Sequence, residues 1–350
     1  MNSSFKPSDV TLLLKDITGL IDPLPTEERE KRIQSGVHYS EMLPLEYRPS
    51  EDYLQIYEES LKTFGQRTAD AIARLSEKII EKKGPDAVIV SLARAGTPLG
   101  VLVKRYLNNK YNINCPHYSI SIIRDRGIDQ NAVKYILERH NASSVQFLDG
   151  WTGKGVIYKE LRNAISSFPG VPDELAVVAD PAGITDLCGT HEDIMIASSC
   201  LNCTVCGLIS RTVLRKDLIS DDDFHGAVYY RNMISEDKTY EFIDSIEKRF
   251  RYDVKPEAAV SCLQRGENIV DEIAKKYCIQ SINYIKPGIG ETTRVLLRRV
   301  PWKLLIDEHN KTSSELEHVK QLAREKGVNT EYIQLGNYKC CGLIKKLSDV

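Results

Sequence analysis

Two short apolar runs, AVIV at 87–90 and VQFL at 145–148, each break off into a polar, glycine-containing turn and then into helical periodicity. A β-branched run of that length suits a strand buried on both faces of a parallel sheet. A strand followed directly by a helix is the repeating unit of such a sheet. The surrounding chain keeps the same alternation. Residues 51–82 carry Leu54, Tyr57, Leu61, Ala71, Ile72, Leu75 and Ile79 at helical spacing and stop at Gly84-Pro85. HYSISII at 117–123 alternates as a strand, 129–140 and 156–166 read as helices, and 175–180 as a further strand. The expected fold class is α/β, a mainly parallel sheet with flanking helices. The first 50 residues, punctuated by Pro23, Pro25, Pro44 and Pro49, read as an irregular extension packing on that domain, with one short helix at 10–17.

A second, smaller α/β/α unit follows, with helices at 260–277, 291–299 and 314–327 and strands at 281–285, 302–306 and 330–335. Its pattern looks self-contained, so it is expected to fold alone. The chain of 350 residues thus divides into 1–50, 51–255 and 256–350, with the last boundary at Pro256. The last segment holds 15 Lys+Arg against 12 Asp+Glu, while the whole chain has a net charge of −2. No global basic field draws it onto nucleic acid, and no DNA partner is expected. The apolar runs are far shorter than the roughly 18 residues of a membrane span. A lysine and an aspartate interrupt the N-terminal apolar stretch, which therefore lacks the core of a secretion signal. A cytoplasmic protein with no membrane partner is expected, its nine cysteines mostly buried free thiols.

In open parallel sheets, ligands bind beyond the carboxyl ends of the strands. FLDGWTGKG puts Asp149 at a strand tip, followed by Gly150, Gly153 and Gly155, with Thr152 and Lys154 between them. Such a turn brings backbone N–H groups and a helix N-terminus up to a phosphate. The spacing is neither that of a P-loop nor that of a dinucleotide turn. SLARAGTP places Arg94, Gly96 and Thr97 at the second strand end. Arg124 and Arg126 flank Asp125 in a charged turn, and His38, Tyr39, Glu41 and Arg211 are further candidates for the neighbourhood. Two anion-binding strand ends suit a substrate with phosphates at two ends.

VQFLDGWTGKG resembles the signature of type I phosphoribosyltransferases, with Gly150 in place of the second acid and Lys154-Gly155 in place of the Gly-Thr end. LARAGTPLG, HYSISIIRDRGID, DGWTGKG and SSCLNCTVCGLISRTV together resemble the phosphoribosyltransferase-like proteins of bacterial tellurite-resistance and stress gene clusters, also labelled the cysteine protease StiP family. That resemblance implies a phosphoribosyltransferase using 5-phosphoribosyl 1-pyrophosphate with Mg²⁺, making a nucleoside-like product or acting with RNA. Asp149 would hold the ribose hydroxyls, and Thr152, Gly153, Lys154 and Gly155 the 5-phosphate. Arg94, Ala95, Gly96 and Thr97 would meet the pyrophosphate, and Arg124 and Arg126 would act with Asp149 in catalysis. The alternatives are a non-catalytic sensor of that donor with RNA binding, favoured by Gly150, and a cysteine protease. For the protease, Cys188 with His191 and Cys200 with His225 are the candidate pairs.

Cys200, Cys203 and Cys206 stand at C-x2-C-x2-C, a spacing that can hold zinc or an iron–sulfur cluster. A fourth ligand would come from Cys188, His191, Cys262 or Cys340-Cys341. The segment lacks the proline and glycines of a metal loop, so buried thiols are expected and no metal ligand is assigned. In the C-terminal unit, PGIGETTRVLLRR resembles the L7Ae/pelota RNA-binding pattern at Gly288, Glu291, Thr292 and Arg294, with Gly290 in place of its asparagine. Lys286, Arg294, Arg298 and Arg299 would then contact the phosphates of a structured RNA. The sequence does not specify an oligomeric state.

Overall fold

The computed structural model describes residues 1–255, 257 and 266–346. The expected boundary at Pro256, the first turns of the helix expected from 260, and Cys262 lie outside the described residues. The central sheet runs, from one edge to the other, Thr11–Leu12, His117–Ile123, Val88–Ala93, Val145–Trp151, Leu175–Ala179 and Cys188–Thr190. All five pairings are parallel. Gly127–Ile128 folds back antiparallel onto His117–Ile123. Helices Gly96–Tyr111, Gln130–Leu137 and Val156–Ile165 connect the strands, as the sequence alternation predicts.

Helix Glu51–Lys83 forms one wall of the core. Ser50 caps its start by accepting from the Tyr53 N–H at 3.3 Å, and Glu51 and Asp52 complement the positive end of its dipole. Gly84, at φ 67°, ends it. Tyr53, Tyr57, Ile72, Leu75 and Ile79 are fully buried along this helix, in one apolar cluster with Leu99, Leu102 and Leu148.

The second unit is a four-stranded sheet in the order Ile285–Pro287, Cys340–Ile344, Pro301–Asp307, Asn329–Ile333, with helices Gly266–Lys276, Ile289–Arg298 and Glu317–Glu325. Cys340–Ile344 pairs antiparallel with both neighbours, and Pro301–Asp307 runs parallel to Asn329–Ile333. This unit is less self-contained than its pattern suggests. Ile289, Leu296, Leu316, Val319 and Leu322 belong to the same apolar cluster as Tyr53, Ile72 and Met195 of the first unit. Separation would therefore expose a shared core.

Residues 10–17 do not form the expected helix. Thr11–Leu12 adds to the sheet edge and Lys15–Asp16 pairs with Gly226–Ala227. The extended course buries Val10, Leu13, Leu14 and Ile17 in four different apolar clusters, which one helix face could not do. The helix of the extension is Thr26–Gln34 instead, and its buried residues are Arg29 and Glu30. No described helix is long and apolar enough to cross a membrane.

Candidate functional site

Beyond the carboxyl end of Val145–Trp151 lies a cavity of about 250 Å³ between the sheet and the second unit. The first unit contributes Arg29, Tyr39, Arg124, Arg211 and the turn from Asp149 through Gly155, and the second contributes Lys286, Glu291, Arg294, Arg298 and Arg299. A smaller space of about 140 Å³ shares Tyr39, Asp149, Arg211, Arg294 and Arg298 and adds Arg94 and Ala95 to its walls.

The predicted phosphate turn is in place, but its side chains are already engaged. Lys154 Nζ donates to the carbonyl oxygens of Ile285, at 2.9 Å, and Ile282. Burial brings its ammonium down to about 7. The Tyr338 hydroxyl donates to the Gly153 carbonyl at 2.7 Å, and the Thr152 hydroxyl donates to Asp180. Gly155, at φ 78°, turns the chain into helix Val156–Ile165. Docking of the second unit thus occupies Lys154 and the Gly153 carbonyl, and Asp180 of the first unit occupies Thr152, where the sequence suggested an open 5-phosphate cradle. Asp149 lines the cavity and accepts from the Gly150 N–H at 2.8 Å. Burial pushes its carboxyl up to about 6, against the pull of Arg294.

The second strand end departs further from expectation. Arg94 is ion-paired with Glu46 at 2.9 Å, both side chains 4% exposed, and donates to the Ile209 carbonyl at 2.7 Å. Gly96 lies against the backbone of Leu148 and Asp149, where an added Cβ would meet Leu148 O at 2.8 Å. The Thr97 hydroxyl is buried against Ser119 Oγ at 2.7 Å. Gly96 and Thr97 face the sheet, so of the four residues expected at a pyrophosphate only Arg94 and Ala95 reach a cavity wall. Arg124 lies over the Tyr39 ring at 5.2 Å, reaches Asn283 at 3.2 Å and lines the main cavity. Arg126 pairs with Glu41 at 2.9 Å and lines neither space.

The residues expected to meet RNA turn inward. Asp193 accepts from the Ile289 N–H at 3.0 Å and the Lys339 N–H at 2.9 Å, seating the start of helix Ile289–Arg298 on the first unit. Gly288 sits beside Asp193, and the fully buried Thr292 donates to the Lys286 carbonyl at 3.1 Å. Arg294 pairs with Glu291 at 2.7 Å and lies over the Trp151 ring at 4.6 Å. Lys286 stands 3.8 Å from Glu291. Although burial opposes it, these two cations hold the Glu291 carboxyl at about 2. Arg298 Nε donates to Asn202 at 2.5 Å, and Arg299 forks onto Glu30 at 2.6 and 2.8 Å. Gly290 carries the same explanation: a Cβ there would stand 2.1 Å from Trp151, so the asparagine of the RNA-binding pattern has no room.

A separate centre forms at the opposite sheet edge. Cys188 Sγ lies 3.5 Å from His191 Nε2, and His191 Nδ1 lies 3.4 Å from Asp180 Oδ2. Asp180 is fully buried and also accepts from the Ile184 N–H at 2.7 Å and the Thr185 N–H at 3.0 Å. Asp180 and Cys188 hold His191 protonated up to about 10. Glu257 fixes the adjoining backbone, accepting from Thr190 Oγ1 at 2.7 Å and the His191 N–H at 3.1 Å. Among the described residues this is also the group of His, Cys and carboxylate donors close enough to share a metal ion, all within 4.8 Å of one another. The other candidate pair is not assembled. Cys200 packs beside Tyr53, while His225 bonds Ser121 Oγ at 2.8 Å and its backbone N–H donates to Asp129 at 2.6 Å. Burial pushes the thiols of Cys200, Cys203 and Cys206 up, the last to about 11. Cys203 contacts Met233 sulfur at 3.6 Å.

Of the residues at these centres, Arg29, Trp151, Asp180 and Asp193 were not singled out by sequence reasoning. Arg29 sits in a helix without apolar periodicity. The two aspartates close a strand and a loop, positions with no motif of their own.

Residues 3–247 match the family described as tellurite-like stress resistance cysteine protease StiP, and residues 264–346 match the PELOTA RNA binding domain. A protein named cysteine protease StiP from Acinetobacter baylyi (strain ATCC 33305 / BD413 / ADP1) is 35% identical over 366 residues, covering 99% of this chain and 94% of its own. Among solved structures, a hypoxanthine-guanine phosphoribosyltransferase from Bacillus anthracis str. 'Ames Ancestor' superposes with a TM-score of 0.28 at 12% identity, over 47% of this chain and 94% of that one. A hypothetical protein from Neisseria gonorrhoeae with bound ppGpp gives 0.22 at 15%, over 32% and 65%. Similarities of that size carry no inference about fold or ligand. The matching family and relative bear the name of a cysteine protease, which overturns the expected phosphoribosyl transfer. The expectation of Mg²⁺ came with that donor and has no separate support.

Proposed function

The chain belongs to the family of the tellurite-like stress resistance cysteine protease StiP, and from that premise we propose that it is a thiol hydrolase acting through Cys188, His191 and Asp180. The observation that carries this reading is the line of sulfur, imidazole and buried carboxylate. Among the described residues, no other thiol is within hydrogen-bond reach of a histidine. An imidazolium beside a sulfur is the arrangement that activates thiol nucleophiles. The sulfur would add to the acyl carbon of a peptide bond, and His191 would give its proton to the departing amine. Water would then cleave the thioester, returning one proton to the pair and releasing the acid. Asp180 keeps the imidazole oriented, as the third member of such triads does. The backbone donors from Ile184 and Thr185 keep Asp180 itself in place.

Cys188 is 1% exposed and the His191 side chain 17%, so a substrate approaches from the imidazole side and the edge of the sheet must open to admit it. The test uses the full chain carrying Cys278→Ser, which removes the exposed cysteine among the described residues, and Cys262→Ser, which removes the cysteine outside them. Hydrolysis of a fluorogenic peptide library or of casein should be lost in Cys188→Ala and fall at least a hundredfold in His191→Asn. Iodoacetamide should inactivate the enzyme with one modification, at Cys188. Full activity in Cys188→Ala would refute the assignment. A stoichiometric metal ion that disappears in Cys188→Ala would make the three residues ligands instead.

A further inference from the structure

The wall of the interdomain cavity carries eight Lys and Arg side chains against two carboxylates, Asp149 and Glu291. Several of the cations are neutralised by partners already described, but Arg29, Arg211 and Arg298 are in no ion pair among the described residues. Arg29 is 2% exposed, and its Nε and Nη1 have no hydrogen-bond partner. Arg211 lies over the Tyr39 ring at 4.3 Å, and Arg298 donates only to the neutral oxygen of Asn202. The Trp151 indole N–H, on the same wall, is also unpartnered. Buried charges persist where they are paired, and an orphaned buried donor is costly. Three guanidiniums stand around one space, and the carboxylates nearest Arg29 and Arg298, Glu30 and Glu46, are already paired with Arg299 and Arg94, so the space marks the seat of an anion.

We propose that this cavity binds a small molecule carrying a diphosphate group, gripped by Arg29, Arg211 and Arg298. The planar fork of a guanidinium matches phosphate oxygens two at a time. A diphosphate supplies enough oxygens, and enough charge, for three such forks. The adjoining spaces of about 250 and 140 Å³ accommodate the group together with part of the molecule that bears it. A polymer is the wrong shape, because the space is a cleft between the two units and Arg29 at its wall is almost wholly buried. Burial and the neighbouring guanidiniums push Arg211 down to about 9 and Arg29 to about 10, a penalty that a bound anion reverses. The inference is independent of the thiol reading and concerns a different part of the molecule.

Calorimetry on the full chain with pyrophosphate, ADP and inorganic phosphate, at physiological salt, tests it. Pyrophosphate and ADP should bind at least tenfold more tightly than phosphate. ADP tighter than pyrophosphate would mean that the nucleoside is bound as well, and equal affinities that the diphosphate alone is recognised. Arg211→Met and Arg298→Met should each weaken pyrophosphate binding at least tenfold, while Lys320→Met, on a surface helix, should bind as the parent does. Arg211→Lys, which keeps the charge but loses the fork, should fold normally and lose most of the thermal stabilisation that pyrophosphate gives the parent. No binding of either diphosphate, or unchanged affinity in the arginine variants, would overturn the proposal. So would a structured RNA hairpin that displaces pyrophosphate from those same arginines.

Discussion

Seating of the second unit on the first can be tested at one glycine. A Cβ at Gly290 would lie 2.1 Å from Trp151 Cε2 and 2.4 Å from its Nε1, whereas carbons rest about 3.5–4.0 Å apart. Trp151 ends a central strand and is covered by Arg294, so a retreat of ring or helix disturbs the interface. Overpacking of this kind costs about 1–3 kcal/mol. Alanine is otherwise favoured over glycine within a helix by up to about 1 kcal/mol. Net of that gain, Gly290→Ala should destabilise the chain by up to about 2 kcal/mol. In a Trp151→Ala background the same substitution should be neutral or slightly stabilising. Urea unfolding followed by circular dichroism on the four proteins of this cycle yields the coupling between the two positions. An equal cost of Gly290→Ala in both backgrounds would show that the ring is not what keeps position 290 bare, and would undo the account of the missing asparagine.

Arg94→Met should cost about 3–5 kcal/mol, because it strands Glu46 as a buried charge; Arg94→Met with Glu46→Leu should recover most of that loss in thermal melts, and failure to do so would mean that Arg94 acts through something other than the pair. The Asp149 carboxyl is raised by burial to about 6 from 3.8, so the folded chain keeps this proton to higher pH than the unfolded one. Its stabilising contribution is complete below about pH 4 and lost as pH rises through 6. Asp149→Asn should therefore gain on the parent in urea midpoints between pH 4 and 7.5, and a constant difference would contradict this. Native alkylation should spare Cys200, Cys203 and Cys206 and modify the exposed Cys278, as mass spectrometry of the peptides would record. Arg299→Glu, by breaking the fork onto Glu30, should loosen the interface rather than change RNA affinity directly, so limited proteolysis should accelerate more than any RNA gel shift changes.

The four inner strands of the central sheet were legible because they are buried and read as short apolar or alternating runs ending in polar turns. Cys188–Thr190, only CGT, and Cys340–Ile344, CCGLI, have no such signature, although the second holds the centre of its sheet. Val10, Leu13, Leu14 and Ile17 carry helical spacing, yet tertiary pairing of Thr11–Leu12 and Lys15–Asp16 between them keeps the segment extended. At the cavity, the glycine turn was visible and its occupant was not. Nothing local to Lys154 indicates that the carbonyls of Ile282 and Ile285 will take its ammonium. Thr26–Gln34 hides its role because the face it buries is charged. Cys188 with His191 was one of two candidate pairs that nothing in the sequence oriented, and the carboxylate beside His191 arrives from the end of a different strand.

Thr152 stands in the wall of the cavity, and its hydroxyl donates to Asp180, the carboxylate that orients His191 beside Cys188. A hydroxyl has one proton to give. If that proton swings toward a guest in the cavity, Asp180 keeps only its two backbone donors and draws harder on the imidazolium. If it stays, the guest finds an acceptor there and no donor. The two centres are in this sense wired through a single rotor, and Thr152→Val, which keeps the shape of the side chain and removes the proton, cuts the wire without touching either end.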